Sequence, residues 1–397
     1  MVLSQRSQLI KPASTGKTRS IANALKEAGV HVVNFAAGEL DVDTTEEIKR
    51  AAKAAIDAGR NSYTPALGLD GLRKLVAQRV SAHCGMEYPH TEVGVTAGAK
   101  QALYNTAMVL FNPGDEVLIP QPYWVTFPTQ VEMAGAKPVF LDTRPFGYHL
   151  QAAQVEAALT PRTRGIIVNT PNNPTGAVYE AEELKKIARI ALERGLWIVF
   201  DECYASLVRS GYTHANLVRI CPEVKERTIL VNSFSKSHAL TGWRLGYVAA
   251  PAEVVKAMGN LQGHTTSNPN SIAQYALLGA LETPDNGFIA NVNRLLDERV
   301  TLARGLVDQM EEISLGPTEG AFYLFLNVEA KIGKRFRGEI ISHVDRLCEL
   351  ALEHANVAVV SGSAFGDPSA IRVSYAISTN DVVEGLGWLK KFFEEIE

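Results

Sequence analysis

The spacing of apolar positions changes twice along the chain. Near the N-terminus, residues 20–28 (SIANALKEA) and 44–58 (TTEEIKRAAKAAIDA) repeat apolar side chains at helical intervals. The pattern predicts two amphipathic helices, each opening on a Ser or Thr suited to cap it. From about residue 93, short apolar runs take over: VGVTAG, EVLIP, AKPVFLD, GIIVNT, LWIVFDECY, TILVNSFS and GYVAA. Helical stretches such as AKQALYNTAMVLF and EELKKIARIALERG lie between them. Near-continuous apolar strands separated by helices predict an α/β domain around a mostly parallel, buried sheet. Polar or Gly-rich residues follow each strand and should gather at one sheet edge, where open α/β sheets bind ligands.

After about residue 284 the pattern changes again. A long charged helix is expected over roughly 285–312, then strands near FYLFLNV, VAVVSG and IRVSY, with a helix between them and another at the end. These elements predict a smaller α+β unit, and TPDNG at 283–287 is the boundary signal. The expected division is a large domain, 45–284, and a small domain formed by 1–44 together with 285–397.

Composition narrows the function classes. The 397 residues are 46% hydrophobic and 21% charged, as in ordinary globular proteins. Basic residues number 39 and acidic ones 43, with no basic block, so no nucleic-acid partner is expected. Cys84, Cys203, Cys221 and Cys348 show no C-x-x-C spacing, so neither a disulfide framework nor a metal site is expected. Met1 to Lys11 has no apolar signal-peptide core, and no apolar run approaches the roughly 20 residues of a membrane span. A cytoplasmic protein without a membrane partner is expected.

Candidate chemistry sits at the strand ends. Ser233-Phe234-Ser235-Lys236 follows the strand TILVN, and Thr241-Gly242-Trp243-Arg244-Leu245-Gly246 comes soon after. Hydroxyls and a guanidinium suit a phosphate. A partly desolvated amine beside positive charge has a lowered pKa and can act as a nucleophile. On these residues alone, a solvated loop with a surface lysine reads equally well. Asp201 ends the run LWIVF, and a carboxylate at the tip of a buried strand is paired, functional or a helix cap. Tyr204 follows it. Asn172-Asn173-Pro174-Thr175-Gly176 after GIIVNT reads first as a turn. Gly98-Ala99-Lys100 joins a strand to a helix, where backbone N–H groups can meet an anion.

Taken together, these segments resemble the class I and II pyridoxal-phosphate-dependent aminotransferases of fold type I, most closely the bacterial aspartate aminotransferase subgroup. The resemblance rests on Ser233-x-Ser235-Lys236, Gly242-x-Arg244-x-Gly246, Asn173-Pro174-x-Gly176, Asp201-x-x-Tyr204 and Arg372 in IRVSYA, and it covers nearly the whole chain. It implies pyridoxal 5'-phosphate as cofactor, anchored covalently on Lys236, which then serves as the proton-transfer base. Asp201 would pair with the pyridine nitrogen, while Asn173 and Tyr204 would bond the ring's 3-oxygen. Trp124 would stack on the ring, with Tyr123 as the competing stacker. Ser233, Ser235, Arg244 and the amides of Gly98, Ala99 and Lys100 would hold the phosphate. Tyr63 would reach the phosphate of a neighbouring subunit, which implies a homodimer with shared sites. Arg372, beside Gly38, would grip the substrate's α-carboxylate.

The implied reaction moves an amino group from an L-amino acid to a 2-oxo acid such as 2-oxoglutarate by ping-pong kinetics. Lys100 would pair with the distal carboxylate of aspartate or glutamate; its other reading is a solvated first-turn lysine. Two departures bear on specificity: Leu40 replaces the usual proline of G-E-P-D, and Asn268 stands where proline is frequent. A β-lyase on the same fold shares the early chemistry. A cofactor-binding regulator would normally carry an N-terminal DNA-binding domain.

Overall fold

The structure is a computed structural model. It describes residues 14–282 and 287–397, of which 14–19 by backbone alone, together with Leu3, Ser4, Ser7 and Ile10. The boundary signal expected at 283–287 lies almost wholly outside the described residues.

The first helix, α1 (Ser14–Glu27), begins six residues before the expected start. The helix α2 (Glu46–Asp57) follows Thr45, whose side chain makes no capping bond; Glu46 and Glu47 complement its N-terminus instead. Next come α3 (Asp70–Cys84), β1 (Val93–Thr96), α4 (Ala99–Leu110), β2 (Glu116–Gln121), β3 (Lys137–Asp142), β4 (Thr163–Asn169), α5 (Ala181–Arg194), β5 (Trp197–Asp201), β6 (Thr228–Ser233), β7 (Gly246–Ala249) and α6 (Ser271–Leu281). These seven strands form one sheet in the order β1-β7-β6-β5-β4-β2-β3. Only β7 runs antiparallel to its neighbours, so the sheet is mostly parallel as expected.

Alternation along the strands assigns each residue to a face. Ile166, Val168, Ile198, Phe200 and Leu230 enter one core with α3, α5 and α6. Their neighbours Ile167, Val199, Ile229 and Val231 enter a second core with α4. Both faces are therefore covered, and burying such a side chain contributes about 1.5–3 kcal/mol. The same alternation carries past the strand ends. Asn169, Asp201 and Ser233 share the α4 face with Ile167, Val199 and Val231, and Glu202 turns to the α3 face.

A further core gathers Val33, Phe35, Leu207, Phe322, Tyr323 and the C-terminal elements. Those elements are α7 (Phe288–Val307), β8 (Ser314–Leu315), β9 (Tyr323–Asn327), β10 (Val360–Ser361), β11 (Ala370–Ser374) and α8 (Thr379–Glu394). The helix expected over 285–312 is shorter, because Asp308 closes it and the chain turns into β8. The run VAVVSG also divides: Val357–Ala358 pairs with Val33–Asn34, whereas β10 pairs with β11. In the four-stranded sheet β10-β11-β9-β8, Arg372 lies opposite Phe325.

Candidate active site

A cavity of ≈ 580 Å³ opens where the strand ends of the large sheet meet β9 and β11. Its lining includes Gly38, Ala99, Lys100, Trp124, Asn173, Asp201, Tyr204, Ser233, Ser235, Lys236, Arg244 and Arg372. All were expected at the site. Gly98 lies just outside, packed so that a Cβ there would come within 2.8 Å of the Arg244 guanidinium. Tyr63 does not join this cavity; its side chain is 89% exposed. Tyr123 is turned away and stacks on Phe140 at 4.8 Å, which leaves Trp124 as the aromatic wall.

Lys236 sits in the short turn after β6 and donates to the carbonyl of Gly38. Burial lowers its pKa to about 8, because a charged amine loses hydration there. An appreciable fraction is then neutral and nucleophilic near pH 7.

Asp201 ends β5 and is 4% exposed. Burial raises its pKa to about 6, although the Cys203 amide donates to Oδ1 at 3.1 Å and offsets part of the shift. Turns rather than a helix follow Asp201, so it does not act as a helix cap. Beside it, Asn169 donates to the Asp201 carbonyl at 3.2 Å and accepts from the Asn173 amide at 3.0 Å. That bond sets the 172–176 turn, which Asn172 closes by accepting from the Thr175 amide and hydroxyl.

Arg372 is held by Asn173 Oδ1 at 3.0 Å and the Ala36 carbonyl at 3.1 Å, and its ion lies 4.4 Å over the Tyr323 ring. These bonds use only two of its five N–H donors, so the guanidinium can still donate to an anion. Tyr323 shares a 2.8 Å hydroxyl–hydroxyl bond with Tyr204, and burial holds both phenols above their ordinary pKa. Gly38 abuts the same hydroxyl, where a Cβ would lie 3.0 Å away.

Around the expected phosphate site the backbone is tightly packed. Arg244 takes a left-handed φ of 57° and donates to the Thr241 carbonyl at 2.8 Å. Gly246 packs against the start of α4 so closely that a Cβ would fall 2.5 Å from the Ala99 amide nitrogen. Lys100, exposed in the first turn of α4, stands 4.9 Å over the Trp124 ring; partial desolvation and then Arg244 lower its pKa. The segment that lacks the expected proline is tied at both ends. Thr241 donates to Glu39 at 2.8 Å, and Arg299 clamps Asp41 with bonds of 2.6 and 2.8 Å. Asn268 bonds its neighbouring carbonyl at Pro269 and does not line the cavity.

Ala36, Asn169, Cys203 and Tyr323 also line the site and were not picked out from the sequence. Asn169 had a signal, since it shares its strand face with Ile167, two residues earlier. Tyr323 had none, because it lies inside an apolar run.

A desolvated lysine, a buried carboxylate and an arginine free to take an anion make this a site for amine transfer on a small carboxylic acid. The family of class I and II aminotransferases matches residues 30–387, and the chain belongs to it. It is an aminotransferase of fold type I. It is 40% identical over 396 residues to a probable aspartate/prephenate aminotransferase of Aquifex aeolicus, covering 99% of each chain. It is 38% identical over 398 residues to the aspartate aminotransferase of Geobacillus stearothermophilus, again covering 99% of each. Among solved structures, the Thermus thermophilus aspartate aminotransferase with maleate superposes with a TM-score of 0.92 at 35% identity, covering 99% of this chain and 100% of that one.

Proposed function

We propose that the chain is a pyridoxal-phosphate-dependent aminotransferase that passes the amino group of aspartate, or a related dicarboxylic or aromatic amino acid, to 2-oxoglutarate. The observation that carries this reading is the convergence of Lys236, Asp201 and Arg372 on one cavity. The residues fit the cofactor on their own chemistry. Asp201 is a buried carboxylate that a pyridinium N–H would satisfy, and Arg244, Ser233, Ser235 and the α4 amides match a phosphate. When bound, pyridoxal phosphate supplies an aldehyde that links to amines and a ring that accepts the electron pair left by the departing α-proton.

In this reading the rest is done by side chains. Lys236 anchors the cofactor and, once the donor amine has displaced it, carries the α-proton at Nζ. Asp201 keeps the pyridine nitrogen protonated. Tyr204 and Asn173 donate to the 3-oxygen, and Trp124 covers the ring. Arg372 takes the α-carboxylate beside Gly38, with its fork held in place by Asn173. Lys100 meets the distal carboxylate, and its lowered pKa recovers when that charge arrives.

The active form proposed is a homodimer in which Tyr63 completes the neighbour's phosphate site, an arrangement its exposure supports. The separate cores support a large unit, 45–284, and a small unit of 1–44 with 285–397. The cysteines described, all buried and unpaired, fit a reducing cytoplasm.

Borohydride treatment of the holoenzyme should fix the cofactor to the peptide carrying Lys236, and Lys236→Ala should lower turnover by about 10²–10⁴-fold. Retained transamination by that variant would refute the assignment. Rapid mixing with a panel of amino acids tests the donor: aspartate and glutamate should change the cofactor absorbance fastest, and silence with both would refute the dicarboxylate reading.

A further inference from the structure

Behind the cavity, on the α3 face of the sheet, lies a second cluster that the transfer reaction does not use. His83 stands in the last turn of α3, Glu202 directly follows β5, and His214 lies in the loop beyond. One ligand atom from each lies within 4.8 Å of the other two. His83 Nε2 is 3.1 Å from Glu202 Oε1, and His214 Nε2 is 3.0 Å from Oε2. Two ligands bound to a tetrahedral Zn²⁺ at about 2.0–2.1 Å are separated by about 3.3 Å, so the two His–Glu202 edges need only small adjustments, and the two imidazoles, within 4.8 Å of each other, need to close on the ion.

We propose that His83, Glu202 and His214 form a site for Zn²⁺ or a similar first-row divalent ion. Two imidazoles and one carboxylate are the donor set such ions select over oxygen-seeking Mg²⁺ and Ca²⁺. The carboxylate is built in: Glu202 is fully buried, and its amide is bonded to the Val231 carbonyl at 3.0 Å. Asn216 Nδ2 donates to Oε2 at 3.0 Å and orients the group, as outer partners of metal ligands do. His83, His214 and Asn216 all bond Glu202 Oε2, whereas Oε1 takes no hydrogen bond among the described residues and has only the His83 edge at 3.1 Å beside it, so acceptor capacity is left at that oxygen. The His83 and His214 rings lie parallel, 2° apart, and Phe200 packs against the latter. The His83 side chain is 40% exposed, which gives an ion an entrance and leaves room for water as a fourth ligand. Such a site ties α3, the end of β5 and the following loop together one residue from Asp201.

The test uses the holoenzyme, stripped with a chelator, desalted and titrated with Co²⁺ as the spectroscopic probe. Visible ligand-field bands of tetrahedral strength should grow to saturation at one ion per chain, and Zn²⁺ should abolish them. The melting temperature should rise with ion concentration by mass action. His83→Ala removes a partly exposed ring outside the transfer site, so retained transamination will report an intact fold; its Co²⁺ affinity should fall by at least about tenfold. His214→Gln gives a second check by the same readout. Absence of the bands, or equal binding by wild type and His83→Ala, would overturn the proposal and leave a cluster joined by hydrogen bonds alone.

Discussion

Asp201 and Glu202 are consecutive, both buried, and shifted in opposite directions. The pKa of Asp201 is raised to about 6, and that of Glu202 is lowered to about 2. Burial opposes ionisation in both. At Glu202 the bonds from His214 and His83 outweigh it, while at Asp201 the Cys203 amide offsets only part of it. Partners, rather than depth, decide the charge of a buried carboxylate. The strand pleat sends one residue to a site that still needs a cation and the other to a site already supplied with imidazoles.

The sharpest way to break this comparison is to neutralise each group in turn. Asp201→Asn should lower kcat about 10²–10³-fold, the usual loss when one electrostatic partner of the reacting charge is removed. In the cofactor-free protein at pH 8 the same change should raise the melting temperature on the order of 1–3 °C, because an unpaired buried charge has gone. Glu202→Gln should do the reverse. It should destabilise by roughly 3 kcal/mol, as breaking a buried charge cluster does, while kcat of the folded fraction stays near wild type. Equal effects of the two substitutions on both assays would erase the distinction.

A pH series sharpens it further. Glu202 is depressed below its ordinary 4.5, so its stabilisation is present above that value and is lost as pH falls through about 2. At His83, burial pulls downward but the Glu202 bond wins and the pKa is raised. Its contribution is therefore full below 6.5 and lost as pH rises through the folded value. The melting-temperature difference between wild type and Glu202→Gln should then be widest between about pH 4.5 and 6.5. Asp201, whose folded form holds its proton more tightly, favours folding at low pH. In cofactor-free protein that contribution should fade as pH rises from 3.8 to about 6.

Smaller effects separate the two walls of the cavity. Lys100→Met should lower kcat/KM for aspartate by roughly tenfold, the worth of one charge pair to the substrate, and leave alanine unaffected. Tyr323→Phe keeps the ring under Arg372 but removes the hydroxyl that Tyr204 bonds. It should cost about 1 kcal/mol in kcat/KM, seen as a shifted pH profile with KM for the donor unchanged. A raised KM instead would assign the hydroxyl to the carboxylate wall.

Much of this was legible in the sequence because the sheet is buried on both faces. Its strands stand out as apolar runs, and a polar residue at the end of one, such as Asp201, is conspicuous. The α1 start was missed because its first turn, STGKT, has no apolar residue to show a period. The VAVVSG strand was read as one because periodicity does not register a change of partner between Ala358 and Val360. Tyr323 is hidden for a different reason: apolar neighbours disguise a polar atom whose partner is more than a hundred residues away, as Tyr204 is from Tyr323. The His83–Glu202–His214 cluster is hidden in the same way, since only the approach of α3 to the β5 end brings its members together.

Gly246 sets a limit for anyone wishing to redesign this enzyme. What presses on it is main chain, namely the Ala99 nitrogen and the Gly98 carbonyl carbon, and neither can rotate aside to admit a methyl group. At the Lys100 amine the neighbour is the Trp124 ring, a side chain that can be exchanged and repacked. New substrates should therefore be sought by recasting that wall, with the packed junction of Gly246 and α4 kept as it is.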